Sequence, residues 1–223
     1  MKRIALFCSV FVVVALAIGV SRSEASGAVT IRHVAQAQQP RIQSLDWDWG
    51  GRQLNVRSQT LRDGGRVPQS MVYNAGVPGC SGQNKSPQLS WYGAPWQTQS
   101  FVVQMYDPDG ATTHWGMYNI PAYIRSLPEN AGVPGSSFGP QIGNDFYNSA
   151  NNTYDQHYDG PCPPTGQPAH RYVITVFALD EPLNLISVFF GAYPPLAESL
   201  FYGLVTSRRH ILASGHILGY YSR

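Results

Sequence analysis

The sequence predicts a β-rich globular domain, and three observations carry that prediction. Of 223 residues, 43% are hydrophobic and only 13% charged, which supplies a core and leaves too little charge for a disordered chain or a solvated coiled coil. With 22 Gly and 17 Pro, about 17% of the chain is turn-forming, which favours short elements over long helices. Apolar residues alternate in several short runs, and only one stretch has helical periodicity. The length fits a single domain, and no internal repeat or heptad pattern is present.

Residues 1–25 read as a secretory signal peptide. Lys2 and Arg3 give a basic start, Ile4 to Val20 is an uncharged apolar run of 17 residues, and Ser23 and Ala25 sit where a signal peptidase cutting before Ser26 would read them. A retained membrane anchor is the rival reading, since such a run just spans a bilayer. Cys8 lies too early in the run for a lipoprotein anchor, and no later segment is long and apolar enough to span. The expected location is therefore secreted or periplasmic, with no stable membrane span after cleavage.

Cleavage would remove Lys2, Arg3, Arg22 and Glu24 and leave 12 basic and 12 acidic residues, hence no net charge. A neutral mature chain gives no support for nucleic-acid binding, which needs clustered basic surface. Two cysteines, Cys80 and Cys162, would remain. In an oxidising compartment an even count makes one disulfide the expectation. Two free thiols stay open as the alternative, because the bond requires Cα atoms within about 7 Å.

Residues 26–49 carry no strong periodicity and read as a leader or linker ahead of a domain over 50–223. Leu54, Val56 and Ser58 alternate with Asn55 and Arg57, and the DGGR turn at 63–66 follows, which predicts a strand entering a hairpin or crossover. GQNKSPQLSWYG ends in an aromatic strand, Phe101 to Tyr106 is rich in β-formers, and HWGMYNIPA at 114–122 is a strand stopped by proline. Residues 128–169 are irregular and crowded with Gly, Pro, Asn and Tyr, a length that usually marks a functional loop. HRYVITVFALD at 170–180 is apolar on both faces, as in a central strand. After Pro194 and Pro195, Leu196, Leu200 and Leu204, with Phe201 one step off, share one helical face. The last stretch, HILASGHILGYYSR, returns to strand-like alternation.

The densest chemistry lies at strand ends. Asp107, Pro108 and Asp109 close one strand, His114 follows five residues later, and His170 opens the central strand after the GPCPP run at 160–164. Each has a plain structural explanation: Asp-Pro-Asp is ordinary turn composition, and a histidine at a strand start is commonly a hydrogen-bonded surface residue. Two carboxylates and two imidazoles at strand termini can nonetheless converge on one rim, beside a Gly-Pro-Cys-Pro-Pro segment suited to an anion nest. The sequons at Asn84 and Asn151 read as turn composition.

The chain resembles the phosphatidylethanolamine-binding protein family, also called Raf kinase inhibitor-like, and especially its small exported prokaryotic branch. The resemblance lies in GQNKSPQLSW at 82–91, DPD at 107–109, HWGMYNIP at 114–121, LPENAG at 127–132, NDF at 144–146, YDGPCPPTGQPAHRYVITVFALD at 158–180 and GHILGYYSR at 215–223, in the family's order over roughly residues 50–223. It implies two packed antiparallel sheets with Greek-key connections, few helices and a small anion-binding pocket. Carried across, Asp107, Asp109, His114, His170 and Tyr172 are the implied pocket residues, with Tyr158, Gly160 and Cys162 on its rim. Protonated imidazole, Tyr172 hydroxyl and backbone amides would donate to phosphate oxygens, while the aspartates would accept from an ammonium group or orient the rings. The 110–113 loop is shorter than the family's, which predicts a more open wall, and the 133–157 stretch is longer, a candidate lid.

Three functions follow in order. The first is a binding module holding a small anion or phospholipid head group. The second, implied by the family's inhibitor members, is a protein-interaction module directed at a protease or kinase-like partner, with 133–157 as its surface. The third is an enzyme or metal site built from Asp107, Asp109, His114 and His170. No G-x-S-x-G elbow, HExxH helix, Walker loop or CxxC pair is present, so no catalytic residue, cofactor or resident metal is expected.

Overall fold

The computed structural model describes residues 52–143, 147–148, 153–154, 156–183, 185, 200, 203–204 and 207–223. The predicted signal peptide and leader lie outside the described residues.

Among the described residues fourteen strands follow one another: β1 (Arg52–Gln53), β2 (Asn55–Arg57), β3 (Gly65–Arg66), β4 (Asn74–Val77), β5 (Cys80–Ser81), β6 (Leu89–Tyr92), β7 (Ser100–Asp107), β8 (Thr112–Pro121), β9 (Ser126–Leu127), β10 (Gln141–Ile142), β11 (Tyr147–Asn148), β12 (Thr153–Tyr154), β13 (His170–Leu179) and β14 (Ile211–Tyr221). The main sheet has seven strands in the order β1-β14-β13-β7-β8-β10, with β3 also on β14. A three-stranded sheet, β2-β6-β9, faces it, and β4-β5 and β11-β12 form small ladders. The mainly β architecture is as predicted. One detail differs: β1 and β3 run parallel to β14, so the main sheet is mixed at that edge.

The central placement of β13 follows from its composition. It pairs with β14 on one side and β7 on the other, so Ile174 lies between Ile217 and Met105. Tyr172, Ile174, Val176 and Ala178 point into the main core with Phe101, Val103, Met105, Trp91 and Trp115. Phe177 and Leu179 face the opposite side and join Val102, Ile142, Leu183, Leu200, Leu204 and Ile211 in a second core. Both faces of the strand are covered, which is why it has no polar face.

The strand read from Leu54 onward is in fact split between two sheets. Leu54 N donates to Ser214 O at 2.8 Å beside β14, and the next residue already belongs to β2. Gly215 makes the switch sterically feasible, since a Cβ there would collide with the Leu54 backbone. Of the predicted helix, Leu200, Gly203 and Leu204 have helical backbone, and Arg208–His210 form a 3₁₀ turn. Leu196 and Phe201 lie outside the described residues. Leu200 and Leu204 are buried as the helical face requires, with Leu200 close over Gly116. Among the described residues no helix is long and apolar enough to cross a membrane.

Cys80 and Cys162 form a disulfide, with Cα atoms 5.5 Å apart and 82 positions between them in sequence. Closing a loop of that size restricts the unfolded chain by about 4–5 kcal/mol in the chain-entropy picture. The bond ties the β4–β5 hairpin to the segment leading into β13. Cys80→Ser is expected to cost about 2–5 kcal/mol of unfolding free energy. Urea titration with and without a reductant checks this: the reductant should shift the wild-type midpoint and leave the variant unmoved.

Candidate functional site

β7 ends at Asp107 and β8 begins at Thr112, so the DPD turn caps this hairpin. Asp107 is buried and its Oδ1 accepts the backbone N–H of both Asp109 and Gly110 at 2.8 Å. This self-capping is what Asp contributes at a turn. Its Oδ2 accepts from His170 Nδ1 at 2.7 Å and lies 3.9 Å from His114 Nε2. Tyr172 lines the same pocket, and the charge of this carboxylate acts on its hydroxyl. One carboxylate therefore gathers the turn, both histidines and the tyrosine.

His114 is brought to the site by a β-bulge. Met105 pairs with Trp115 but Tyr106 pairs with Thr113, which leaves His114 as the extra residue of β8. A bulge turns two consecutive side chains to one face. Trp115 enters the main core against Tyr158, and His114 stacks edge-on against Tyr172, a side chain of that same face, at 5.2 Å between ring centres. The His114 Nδ1–H donates to the Asp159 carbonyl at 3.0 Å, which directs Nε2 toward Asp107.

Asp109 takes a different role. Arg171 grips it with Nε at 3.0 Å and NH2 at 2.8 Å, and the Arg171 backbone N–H donates to it at 2.8 Å. That fork holds the Asp109 carboxyl below its ordinary range. Burial holds His114 below the ordinary imidazole range, against the pull of the Asp107 carboxylate and the Asp159 carbonyl. Burial, reinforced by Asp107, keeps the Tyr172 hydroxyl protonated as a donor.

These groups line a pocket of about 280 Å³ formed by Asp107, Asp109, Gly110, Thr112, His114, Cys162, Pro163, Pro164, Gln167, His170 and Tyr172. Six of the eight predicted residues meet here: Asp107, Asp109, His114, Cys162, His170 and Tyr172. Two do not line it. Tyr158 is buried in the core with its hydroxyl donating to Met71 O at 2.9 Å, and burial pushes its phenol well up. Gly160 packs where a Cβ would strike Met71 O, and its N–H donates to Asn84 Oδ1 at 2.7 Å. Cys162 contributes its disulfide sulfur, not a thiol.

Sequence reasoning missed Gln167, Arg171 and Asn84. Gln167 Oε1 lies 2.7 Å from His170 Nε2. Asn84, singled out only as a sequon, is the strut behind the site. Its Nδ2 donates to Tyr158 O at 3.1 Å and to Asp159 Oδ1 at 3.4 Å, while its Oδ1 accepts from Gly160. Its backbone is left-handed at φ 51°, a conformation Asn tolerates better than most residues. Of the other sequence candidates, Asn151 and part of the 133–157 loop lie outside the described residues. Among the described residues no cluster of three or more His, Cys, Asp or Glu is arranged to hold a metal.

Two imidazoles around a buried carboxylate thus line a small pocket at one end of a β-sandwich. The model of the phosphatidylethanolamine-binding protein family matches residues 57–222, and the chain belongs to that family. A UPF0098 protein of Aquifex aeolicus is 38% identical over 179 residues, covering 78% of this chain and 91% of the relative. Escherichia coli YbhB is 40% identical over 136 residues, covering 57% of this chain and 78% of its own length. The crystal structure of Escherichia coli YbcL, described as a member of the mammalian PEBP family, superposes with a TM-score of 0.60 at 30% identity, covering 77% of this chain and 99% of YbcL.

Two measurements test the site's construction. Asn84→Gly keeps the left-handed backbone and loses the side-chain bonds, for an expected cost of about 1–3 kcal/mol. Asn84→Ala should cost about 1 kcal/mol more, because Ala adds backbone strain. For His114, the unfolded chain binds a proton that the folded ring resists. Stability is therefore complete above the ordinary imidazole value of 6.5 and falls as pH drops below it. Urea midpoints between pH 7.5 and pH 5 should show that fall, and His114→Gln should flatten it.

Proposed function

We propose that this protein is an exported, non-catalytic binding protein that holds a small anion, such as the phosphate-ester head group of a phospholipid, in the pocket between Asp107, His114, His170 and Tyr172. The observation that carries the reading is the placement of His170. Its Nδ1 is fixed by the buried Asp107 carboxylate at 2.7 Å, and its Nε2 lies on the side of Gln167, another residue of the pocket lining. A protonated imidazole anchored by a carboxylate on one nitrogen is oriented to donate from the other to an oxyanion. At about 280 Å³ the pocket suits a head group and has no room for acyl chains.

His114 supplies the second contact and a proton linkage. It is surrounded by Asp107 at the end of β7, by Tyr172 and His170 of β13, and by the Asp159 carbonyl. An anion placed near Nε2 favours the protonated ring, in opposition to burial. Binding and proton uptake are thus coupled, and affinity rises as pH falls. Export is supported by the apolar N-terminal run and by the Cys80–Cys162 bond, which persists in oxidising compartments.

Calorimetric titration of the purified protein with glycerophosphoethanolamine, whose phosphodiester keeps its charge between pH 6 and 8, tests this. Saturable binding should be tighter at pH 6 than at pH 8. His170→Ala should weaken it about tenfold or more, as expected for a charge-assisted hydrogen bond. His114→Gln should shrink the pH contrast. Equal affinity in wild type and His170→Ala would remove the proposed donor and with it the reading.

A further inference from the structure

Gln167 belongs to an exposed turn yet sends its side chain back into the pocket. The turn is closed by the Gln167 N–H on Pro164 O at 3.5 Å and by Gly166 at φ 83°, a left-handed conformation free of cost only for glycine. Residues 164–169 are all exposed, so this segment is anchored by little else. From there Gln167 Oε1 reaches His170 Nε2 at 2.7 Å. That nitrogen is the donor assigned above to the ligand, because Nδ1 is already taken by Asp107.

We propose that Gln167 sets the affinity of the pocket by occupying, with its own amide oxygen, the position a ligand oxygen must take. The inference rests on the anion reading of the site. A carbonyl-type oxygen at hydrogen-bond distance is the uncharged counterpart of a phosphoryl oxygen, so the empty pocket is already satisfied by its own chain. A neutral ligand offers His170 nothing better than the tethered amide and does not displace it. An oxyanion does, because hydrogen bonds to a charged acceptor are roughly twice as strong as neutral ones. The displaced amide turns into water at little cost, since its residue is already exposed. Gln167 therefore lowers the affinity for every ligand that takes the place beside His170 Nε2, by the same factor for each.

The test is calorimetric titration of the purified full chain at pH 6 with sodium sulfate and, separately, with glycerophosphoethanolamine, for wild type, Gln167→Ala and Gln167→Glu. Thermal melts are run beside it. Gln167→Ala should bind both probes about 3- to 10-fold more tightly, the worth of one hydrogen bond no longer displaced, and should melt no higher than wild type, because the empty pocket has lost that same bond. Gln167→Glu should bind about tenfold more weakly or worse, because a tethered carboxylate competes as a charged acceptor and repels the anion. Wild-type binding with an equal or weaker affinity in Gln167→Ala overturns the role of Gln167 and leaves the anion site standing. No heat with either probe in any of the three proteins overturns both.

Discussion

The buried carboxylate of Asp107 is the constraint on which the site depends. A carboxylate removed from water must be surrounded by donors, and here they come from its own turn and from His170, 63 positions away. Meeting that requirement fixes the turn after β7, the start of β13 and the orientation of one imidazole at once. The exposed fork of Asp109 and Arg171 then continues the β7–β13 ladder past its last backbone pair, with a side chain standing in for a carbonyl. Function and fold share this interaction, so a substitution at Asp107 removes both together.

Much of this was legible in the chain because it resides in strand periodicity and strand ends. Apolar residues on both faces of 170–180 demanded a central strand, and Asp107, His170 and Tyr172 mark positions where strands begin or stop. The bulge was not legible, since alternation along 112–121 gives no sign that His114 is the extra residue. Tyr158 and Tyr172 look equivalent in sequence, and only the reach of a hydroxyl to Met71 O separates a core tyrosine from a pocket tyrosine. Gln167 in a Gly-Pro turn reads as surface, yet its spacing of three from His170 was a signal available to be read. Arg171 gave none, because its partner Asp109 lies 62 positions earlier. The 52–57 region read as one strand because periodicity reports which way side chains point and not which sheet receives them.

The segment from 158 to 164 has little regular structure of its own, and its position is imposed from outside. Asn84 holds Tyr158, Asp159 and Gly160, Tyr73 N–H donates to Pro161 O at 3.1 Å, and the disulfide fixes Cys162. Two prolines complete that wall of the pocket. Their restricted backbones, together with the disulfide, mean that little conformational freedom is left to lose when a ligand arrives. The freedom that remains lies in the next turn, at Gln167.

The pairing of β14 with β1 and β3 also governs when the protein can exist. Arg52 pairs with Ala213 and Arg66 with Tyr220, so the first strands have no neighbour until a segment about 160 residues later has been synthesised. At typical rates of roughly 5–20 residues per second that is a wait of roughly 8–30 s. The apolar strand 170–179 likewise precedes β14, which covers one of its edges. The β7–β8 hairpin can form early, but the main sheet is complete only once β14 has been made.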